Sequence, residues 1–265
     1  MKKLVAAVGV VSFGFAASSQ GALLLSDSFS YPDGPIPSPW AIHSGTNSGT
    51  TALNIASGKA VINQGDTHGS GADANSALSS SFDPSTDNTS VIYAGFTVNF
   101  SALPVNGDSD GSYFAHLKSS AANEFYARIG ANTNGAAAGK LRLTIADEVW
   151  NVAGTIEHPT DLDLNTTYQV VMKFDLSTDR ATLWVNPATE ASTSVTATDA
   201  PSYAAGTINA FALRQGTSGT GAPGILTVDD LKVATTFAEV VPEPATLCGL
   251  AGLSTLVLRR KSMKA

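Results

Sequence analysis

Apolar and polar residues alternate along three stretches in the middle of the chain, residues 92–100, 141–145 and 168–174. Because neighbouring side chains of a β-strand point to opposite faces, this alternation predicts strands with one buried face. Sheets that are covered on one side only are typical of antiparallel β-proteins. The residues that we expect to face the core are Ile92, Ala94, Phe96, Val98, Phe100, Leu141, Leu143, Ile145, Tyr168, Val170, Met172 and Phe174.

Seven further short segments have the composition of strands, and turn-forming sequences separate them. The turns include residues 106–111 (NGDSDG) and the pair Asn134-Gly135. About ten short strands at this spacing predict an all-β fold, a two-sheet antiparallel β-sandwich of the jelly-roll type. The additional predicted strands are 23–29, 60–63, 113–117, 124–130, 181–186, 208–214 and 225–233.

The first 22 residues have the organisation of a secretory signal peptide. Lys2 and Lys3 precede an uncharged run over residues 4–17, and small and polar residues follow at 18–22. The alternative is a buried N-terminal helix, but the run contains glycines and lacks an amphipathic period. We therefore expect export through the secretion machinery, with cleavage after Ser19, Gly21 or Ala22.

Residues 239–265 differ in composition from the domain predicted for residues 23–238. The prolines within residues 241–245 (VPEPA) cannot continue a sheet ladder. An uncharged run over residues 246–258 follows and ends at the basic cluster 259–261. A helix over this run spans about 18 Å, which is short of the ~30 Å hydrocarbon core, so that alone it is a poor permanent anchor. The basic residues favour a cytoplasmic position for both ends and an external position for the domain before processing.

The order of motif, apolar run and basic cluster resembles the sorting tail of PEP-CTERM proteins, which are exported by Gram-negative bacteria that make exopolysaccharide. The resemblance implies cleavage near the motif by a membrane-embedded, exosortase-type cysteine protease. It also implies transient anchoring in the inner membrane through the C-terminal helix, followed by a place at the cell surface or in the extracellular matrix. The residues that carry the resemblance are Pro242, Glu243, Pro244, Arg259, Arg260 and Lys261.

Three segments of the central domain are similar to concanavalin A-like, laminin-G-like sandwiches. They are residues 27–35 (DSFSYPDGP), 183–187 (LWVNP) and 228–233 (VDDLKV). Their order along the chain implies the same jelly-roll fold. A shared fold does not fix a ligand, so the function has to be predicted from individual residues.

Charge and motifs narrow the classes of function. The net charge of −7 disfavours a nucleic-acid partner, and the single cysteine, Cys248, lies in the tail, so the domain forms no internal disulfide. Retaining glycosidases need two carboxylates about 5 Å apart, whereas the adjacent Asp147 and Glu148 would point to opposite faces of a strand. We therefore expect a non-catalytic module. The alternatives are a secreted polysaccharide hydrolase or lyase and a purely structural surface module.

Two sets of carboxylates suit Ca²⁺, and each also has a simpler explanation. Asp108 and Asp110 lie two apart beside a glycine, as in loops that collect oxygen ligands, but a solvated turn uses the same residues. If the first and last strands pair, Asp27 lies close to Asp229 or Asp230. The alternative is that these carboxylates are ordinary charged residues at strand ends and bind no metal. The sequence predicts no other cofactor.

One face of a sheet is the candidate for glycan binding. Alternation in the strand 181–186 places Trp184 on the face opposite to the core, and the same reasoning moves Tyr126 and Arg128 out of the core. An aromatic ring on a polar face stacks on a sugar while neighbouring polar groups bind its hydroxyls. The alternative is that a second layer covers this face and that Trp184 is core, and the usual burial of large aromatic side chains favours it. The sequence thus predicts an exported β-sandwich, with Trp184, Tyr126 and Arg128 as the candidate face if the module binds extracellular polysaccharide.

Overall fold

The computed structural model describes residues 21–63, 71–83, 85–87, 89–104, 113–119, 124–148, 155–199, 206–215 and 224–241. Nearly all regular structure in these ranges is β-strand, which confirms the predicted all-β class. One 3-10 turn (Gly49–Thr51) and one short helix, α1 (Phe237–Val240), accompany the strands. In chain order the strands are β1 (Leu23–Asp27), β2 (Gly34–Pro35), β3 (Ala41–Ser44), β4 (Asn54–Ala56), β5 (Lys59–Asn63), β6 (Asp73–Phe82), β7 (Val91–Ala102), β8 (Tyr113–Ser119), β9 (Phe125–Asn132), β10 (Arg142–Ala146), β11 (Ile156–Glu157), β12 (Thr167–Asp175), β13 (Arg180–Val185), β14 (Ser194–Thr196), β15 (Ile208–Leu213) and β16 (Ile225–Ala234).

The strands form two antiparallel sheets that pack face to face as a β-sandwich. The nine-stranded sheet has the order β14-β13-β12-β7-β16-β5-β4-β2, and β1 pairs with β16. The seven-stranded sheet has the order β11-β10-β9-β8-β15-β6-β3. Neighbours such as β7 and β16 are far apart in sequence, as expected for a jelly roll.

The core lies between the two sheets and is built from the alternating residues. All twelve positions predicted to face inward belong to it, with Tyr168 partly buried at its edge. Phe96 of β7, for example, contacts two rings of the opposite sheet, with centroid distances of 6.5 Å to Phe114 and 5.7 Å to Phe211. Each fully buried side chain of this size contributes about 1.5–3 kcal/mol through removal of apolar surface from water.

A second apolar cluster lies on the outer face of the nine-stranded sheet, where α1 covers it. Its buried members are Tyr93, Val171, Trp184, Ala234 and Val240. Gly95 makes the close approach of α1 possible, because a Cβ at that position would lie 2.3 Å from the carbonyl oxygen of Val240. The chain is therefore packed against the sheet through Val240.

The structure adds strands that alternation did not predict. The most extensive is β6, a ten-residue strand of sequence DANSALSSSF with few β-branched or aromatic residues. It forms because β15 and β3 pair with it on either side. The expected meeting of the terminal strands is confirmed, since β1 pairs with β16 and Asp27 lies opposite Leu231.

Candidate ligand-binding site

Trp184 lies on the outer face of the nine-stranded sheet, as alternation predicted, but α1 covers it. The side chain is 2% exposed. Its ring meets Phe237 of α1 at a centroid distance of 5.6 Å, and its Nε1 donates a hydrogen bond to the carbonyl oxygen of Glu190 at 3.2 Å. Trp184 is therefore part of the packed layer under α1, in agreement with the interpretation of Trp184 as core that its size favours.

The expected outward position of Tyr126 is wrong, because β9 contains a bulge. Leu117 of β8 pairs with Tyr126 and Ala115 pairs with Ile129, so two residues of β9, Ala127 and Arg128, lie opposite one residue of β8. Ala127 has a φ of 49°, which marks the irregularity. The bulge reverses the alternation before it, and the ring of Tyr126 turns into the core.

Tyr126 and Arg128 therefore lie on opposite faces of the seven-stranded sheet. The Tyr126 ring packs on Phe174 of the other sheet at 5.4 Å, and burial raises its pKa to about 12. Arg128 is on the outer face and away from the inter-sheet core. The structure does not bring Trp184, Tyr126 and Arg128 together on one face.

The carboxylates proposed for metal binding have other partners where the structure describes them. Asp27 accepts hydrogen bonds from the Tyr31 hydroxyl at 2.9 Å and from Trp40 Nε1 at 2.7 Å. Asp229 forms an ion pair with Lys59 at 2.8 Å. In the described parts of the chain, no three His, Cys, Asp or Glu side chains are grouped to hold a metal ion. Asp108 and Asp110 lie outside the described residues.

The sorting-signal residues, Pro242, Glu243, Pro244, Arg259, Arg260 and Lys261, also lie outside the described residues. The same holds for the N-terminal run over residues 1–20. Over the ranges that are described, no helix has the length and apolarity needed to cross a membrane.

A different group of side chains lies on the outer face of the seven-stranded sheet, and we call it the basic–aromatic face. It combines three cations, two histidines and two aromatic rings. Three adjacent strands, β8, β9 and β15, carry most of it, and β3 adds a histidine. Its members are His43, Tyr113, His116, Lys118, Phe125, Arg128 and Arg214.

Rings and cations alternate across this face at contact distance. The Arg128 guanidinium lies 5.0 Å from the Tyr113 ring centroid and 5.2 Å from that of Phe125. The Arg214 guanidinium lies 4.4 Å from the Tyr113 centroid. Lys118 Nζ is 5.9 Å from the Phe125 centroid. These are cation–π distances, so the rings hold the positive charges in place.

His116 lies at the centre of the basic–aromatic face and has no exposed surface. Its ring contacts Phe125 edge-on at 4.8 Å, Tyr113 at 5.3 Å and His43 at 6.3 Å. Among the described residues, neither ring nitrogen has a hydrogen-bond partner. A buried polar group in this condition costs about 1–3 kcal/mol, which is a reason to ask what binds it.

The histidines of this face are neutral at neutral pH. Burial, followed by the positive charges of Arg128 and its neighbours, holds the pKa of His116 well below 6.5. Burial also lowers the pKa of His43, although Asp73 acts against the shift. A neutral imidazole has one donor and one acceptor nitrogen, so His116 is suited to bind a hydroxyl group.

Sequence reasoning missed most of the basic–aromatic face. The signal that was present is the alternation of His116 and Lys118 with Ala115 and Leu117, which placed two polar side chains on one face of β8. Arg128 lies on β9, the next strand in the chain after β8, whereas Arg214 directly follows β15, and strand order brings it beside Tyr113.

Comparisons with known proteins find solved structures of similar fold and low sequence identity. No protein-family model and no curated protein matches the chain. Solved structures that it resembles include the CBM2 module of an evolved Dit protein from Lactobacillus casei phage J-1, with 11% identity over 84% of this chain and 98% of that one and a TM-score of 0.47. An alginate lyase from Pseudomonas aeruginosa shares 10% identity over 74% and 98%, with a TM-score of 0.44. An endo-1,3-β-glucanase from Streptomyces sioyaensis shares 15% identity over 83% and 98%, also with a TM-score of 0.44.

Proposed function

We propose that this chain is an exported surface or extracellular-matrix protein whose β-sandwich binds polysaccharide on the basic–aromatic face. The observation that carries the binding proposal is His116, a fully buried imidazole without a hydrogen-bond partner among the described residues. The partly exposed ring of Phe125 beside it supplies flat apolar surface for a sugar ring. The histidine supplies the donor and acceptor that sugar hydroxyls need.

The ring of Phe125 is the best place to test the binding proposal, because it is partly exposed and contacts His116, Tyr113 and Arg128. We expect Phe125→Ala to weaken binding about tenfold. Stacking of a nucleobase on one aromatic ring contributes about 1–3 kcal/mol, and we expect a sugar ring stacked on Phe125 to contribute a similar amount. The measurement is isothermal titration of the full chain with exopolysaccharide prepared from the producing bacterium.

Phe237→Ala is the matched control, because Phe237 is a similarly half-buried ring of α1, which packs on the opposite sheet. It is expected to lower stability and to keep the affinity. Equal affinities for wild type and Phe125→Ala would place the ligand elsewhere. An absence of saturable binding by the wild-type protein would favour a structural module, and release of reducing ends or unsaturated sugars would make the chain a hydrolase or lyase.

Export and sorting remain proposals that rest on the sequence. The signal-peptide pattern over residues 1–22 and the PEP-CTERM resemblance of residues 239–265 support them. We expect intact mass of the protein from its producing bacterium to show the loss of both ends. We expect Glu243→Ala to block the C-terminal cut by an exosortase-type protease. A wild-type protein that retains Arg259 to Ala265 would contradict sorting and would make the tail a plain anchor.

A further inference from the structure

We infer that the signal peptide is cut after Ser19, so that Gly21 and Ala22 stay in the mature protein and join the segment 235–236. We call these two joined pieces of chain, residues 21–22 and 235–236, the terminal clasp. The inference rests on the proposed export and adds the position of the N-terminal cut. It is carried by two hydrogen bonds, by one close backbone contact and by the spacing of small residues around the cut.

The first described residues continue the pairing of β1 with β16. Leu23 lies opposite Ala234 at the end of the ladder. Beyond this pair, the N–H of Ala22 donates to Thr235 Oγ1 at 2.9 Å, and the N–H of Thr235 donates to the carbonyl oxygen of Ala22 at 3.0 Å. A cut after Ala22 would remove both hydrogen bonds, so the fold is complete only if this residue is retained.

Gly21 packs directly on Thr236. A Cβ at position 21 would lie 2.2 Å from Thr236 Oγ1 and 2.9 Å from its Cβ. Rotation of the threonine side chain does not relieve the second contact, because the backbone fixes the position of the Cβ. A glycine fitted this closely indicates that residue 21 is part of the folded mature domain, and a cut after Gly21 would leave the contact unmade.

The spacing of small residues agrees with a cut after Ser19. Signal-peptide cuts follow small side chains at the third-last and last positions of the signal. A cut after Ser19 places Ala17 and Ser19 at these positions. A cut after Ala22 would place the long side chain of Gln20 at the first of them. A cut after Gly21 satisfies the pattern as well, so the close contact of this glycine decides between the two.

The terminal clasp ties the mature N-terminus to the segment that leads into α1. Thr236 is the residue directly before this helix, and Val240 at its other end is 2% exposed against the sheet. The proposed sorting motif over residues 241–245 follows at once. The position of the N-terminal cut therefore decides whether the start of α1 is supported by a neighbouring chain.

The first measurement is the mass and sequence of the N-terminal peptide of the protein purified from its producing bacterium. We expect this peptide to begin at Gln20. A start at Ala22 or Leu23 would overturn the inference and leave export intact. A protein that retains Met1 and the apolar run after it would remove the proposed export itself.

Two substitutions test the terminal clasp in protein produced in the same way. Gly21→Ala keeps the small-residue pattern, and we expect it to lower the Tm by about 2–4 °C, the shift that a small loss of stability causes in a domain of this size. Thr235→Val removes the acceptor of the Ala22 N–H and should lower the Tm by a similar amount. Thr227→Val is the control, because this threonine lies in β16 away from the clasp and its substitution should leave the Tm unchanged.

The two substitutions also separate the possible cuts. An unchanged Tm in Gly21→Ala together with a lowered Tm in Thr235→Val would overturn the inference, because it would show that residue 21 makes no contact in the mature protein. An unchanged Tm in both variants would overturn the whole clasp, including the role of Ala22.

Discussion

Trp184→Ala is expected to lower the free energy of unfolding by about 3–5 kcal/mol, the range for truncating a buried large aromatic side chain. Trp184 is 2% exposed and packs with Tyr93, Val171 and Val240 under α1. The truncation opens a cavity between sheet and helix, removes the ring contact to Phe237 and leaves the carbonyl oxygen of Glu190 without its donor. Because the basic–aromatic face lies on the other sheet, the affinity of the folded variant for polysaccharide should not change.

Urea unfolding followed by circular dichroism measures this loss. Trp184→Phe is the matched control, since it keeps an aromatic ring against Phe237 and removes only the indole N–H and part of the volume. It should cost about 1–2 kcal/mol. The reverse pattern, with unchanged unfolding and lost polysaccharide binding in Trp184→Ala, would restore the face predicted from the sequence and contradict the site described above.

Asp147→Asn is expected to change the pH dependence of stability. Asp147 follows β10 and has no exposed surface. Its carboxylate forms an ion pair with Arg180 of β13 at 2.6 Å and accepts the N–H of Ala181, so it joins the two sheets. The carboxylate of Asp199 binds the N–H of Asp147 at 2.7 Å. Burial outweighs the hydrogen bonds from Ala181 and Arg180 and raises the pKa of Asp147 from 3.8 to about 6.

The direction of the pH effect depends on whether Asp147 binds its proton more tightly in the folded or in the unfolded chain. Since the folded-state pKa of Asp147 is raised, the folded protein keeps a proton that the unfolded chain has already released between these pKa values. This contribution to stability is present below pH 3.8 and is lost as the pH rises through about 6. The difference between the two pKa values corresponds to about 3 kcal/mol in total.

Asp147→Asn removes this titration. The free energy of unfolding of the variant, relative to wild type, should rise by about 2 kcal/mol between about pH 4.5 and about pH 7.5. The buried histidines act in the opposite direction, because their lowered pKa values weaken the fold in acid, but they are present in both proteins and cancel in the comparison. A constant difference between Asp147→Asn and wild type over this pH range would contradict the raised pKa of Asp147.

Strands with a strong period of two could be predicted from the sequence because their burial depends on local alternation alone. β7 and β12 each place every predicted inward residue in the inter-sheet core. β6 could not be predicted in this way, since its serines and alanines carry little intrinsic preference for a strand. Pairing with β15 and β3 provides the hydrogen bonds that its own side chains do not encode.

The candidate site was less predictable than the fold, and β9 shows why. One extra residue at the bulge, where Ala127 adopts a φ of 49°, moves Tyr126 into the core and Phe125 out of it. A shift of one residue exchanges the two faces of a strand. The side chains near Ala127 give no indication that the bulge is there. The alternation therefore assigned Tyr126 to the wrong face, whereas Arg128 lies on the outer face as predicted.

The sequence by itself determined the all-β class, the inward residues of the alternating strands and the outer position of Trp184, because side-chain direction in a regular strand follows from backbone geometry. Tertiary structure alone decided that α1 covers Trp184, that Tyr126 turns inward and that Arg128 and Arg214 flank Tyr113. These features depend on strand order and on one bulge. Strand order is set by contacts between residues far apart in the chain, and the bulge is set by the pairing of β9 with β8, neither of which a local pattern of alternation contains.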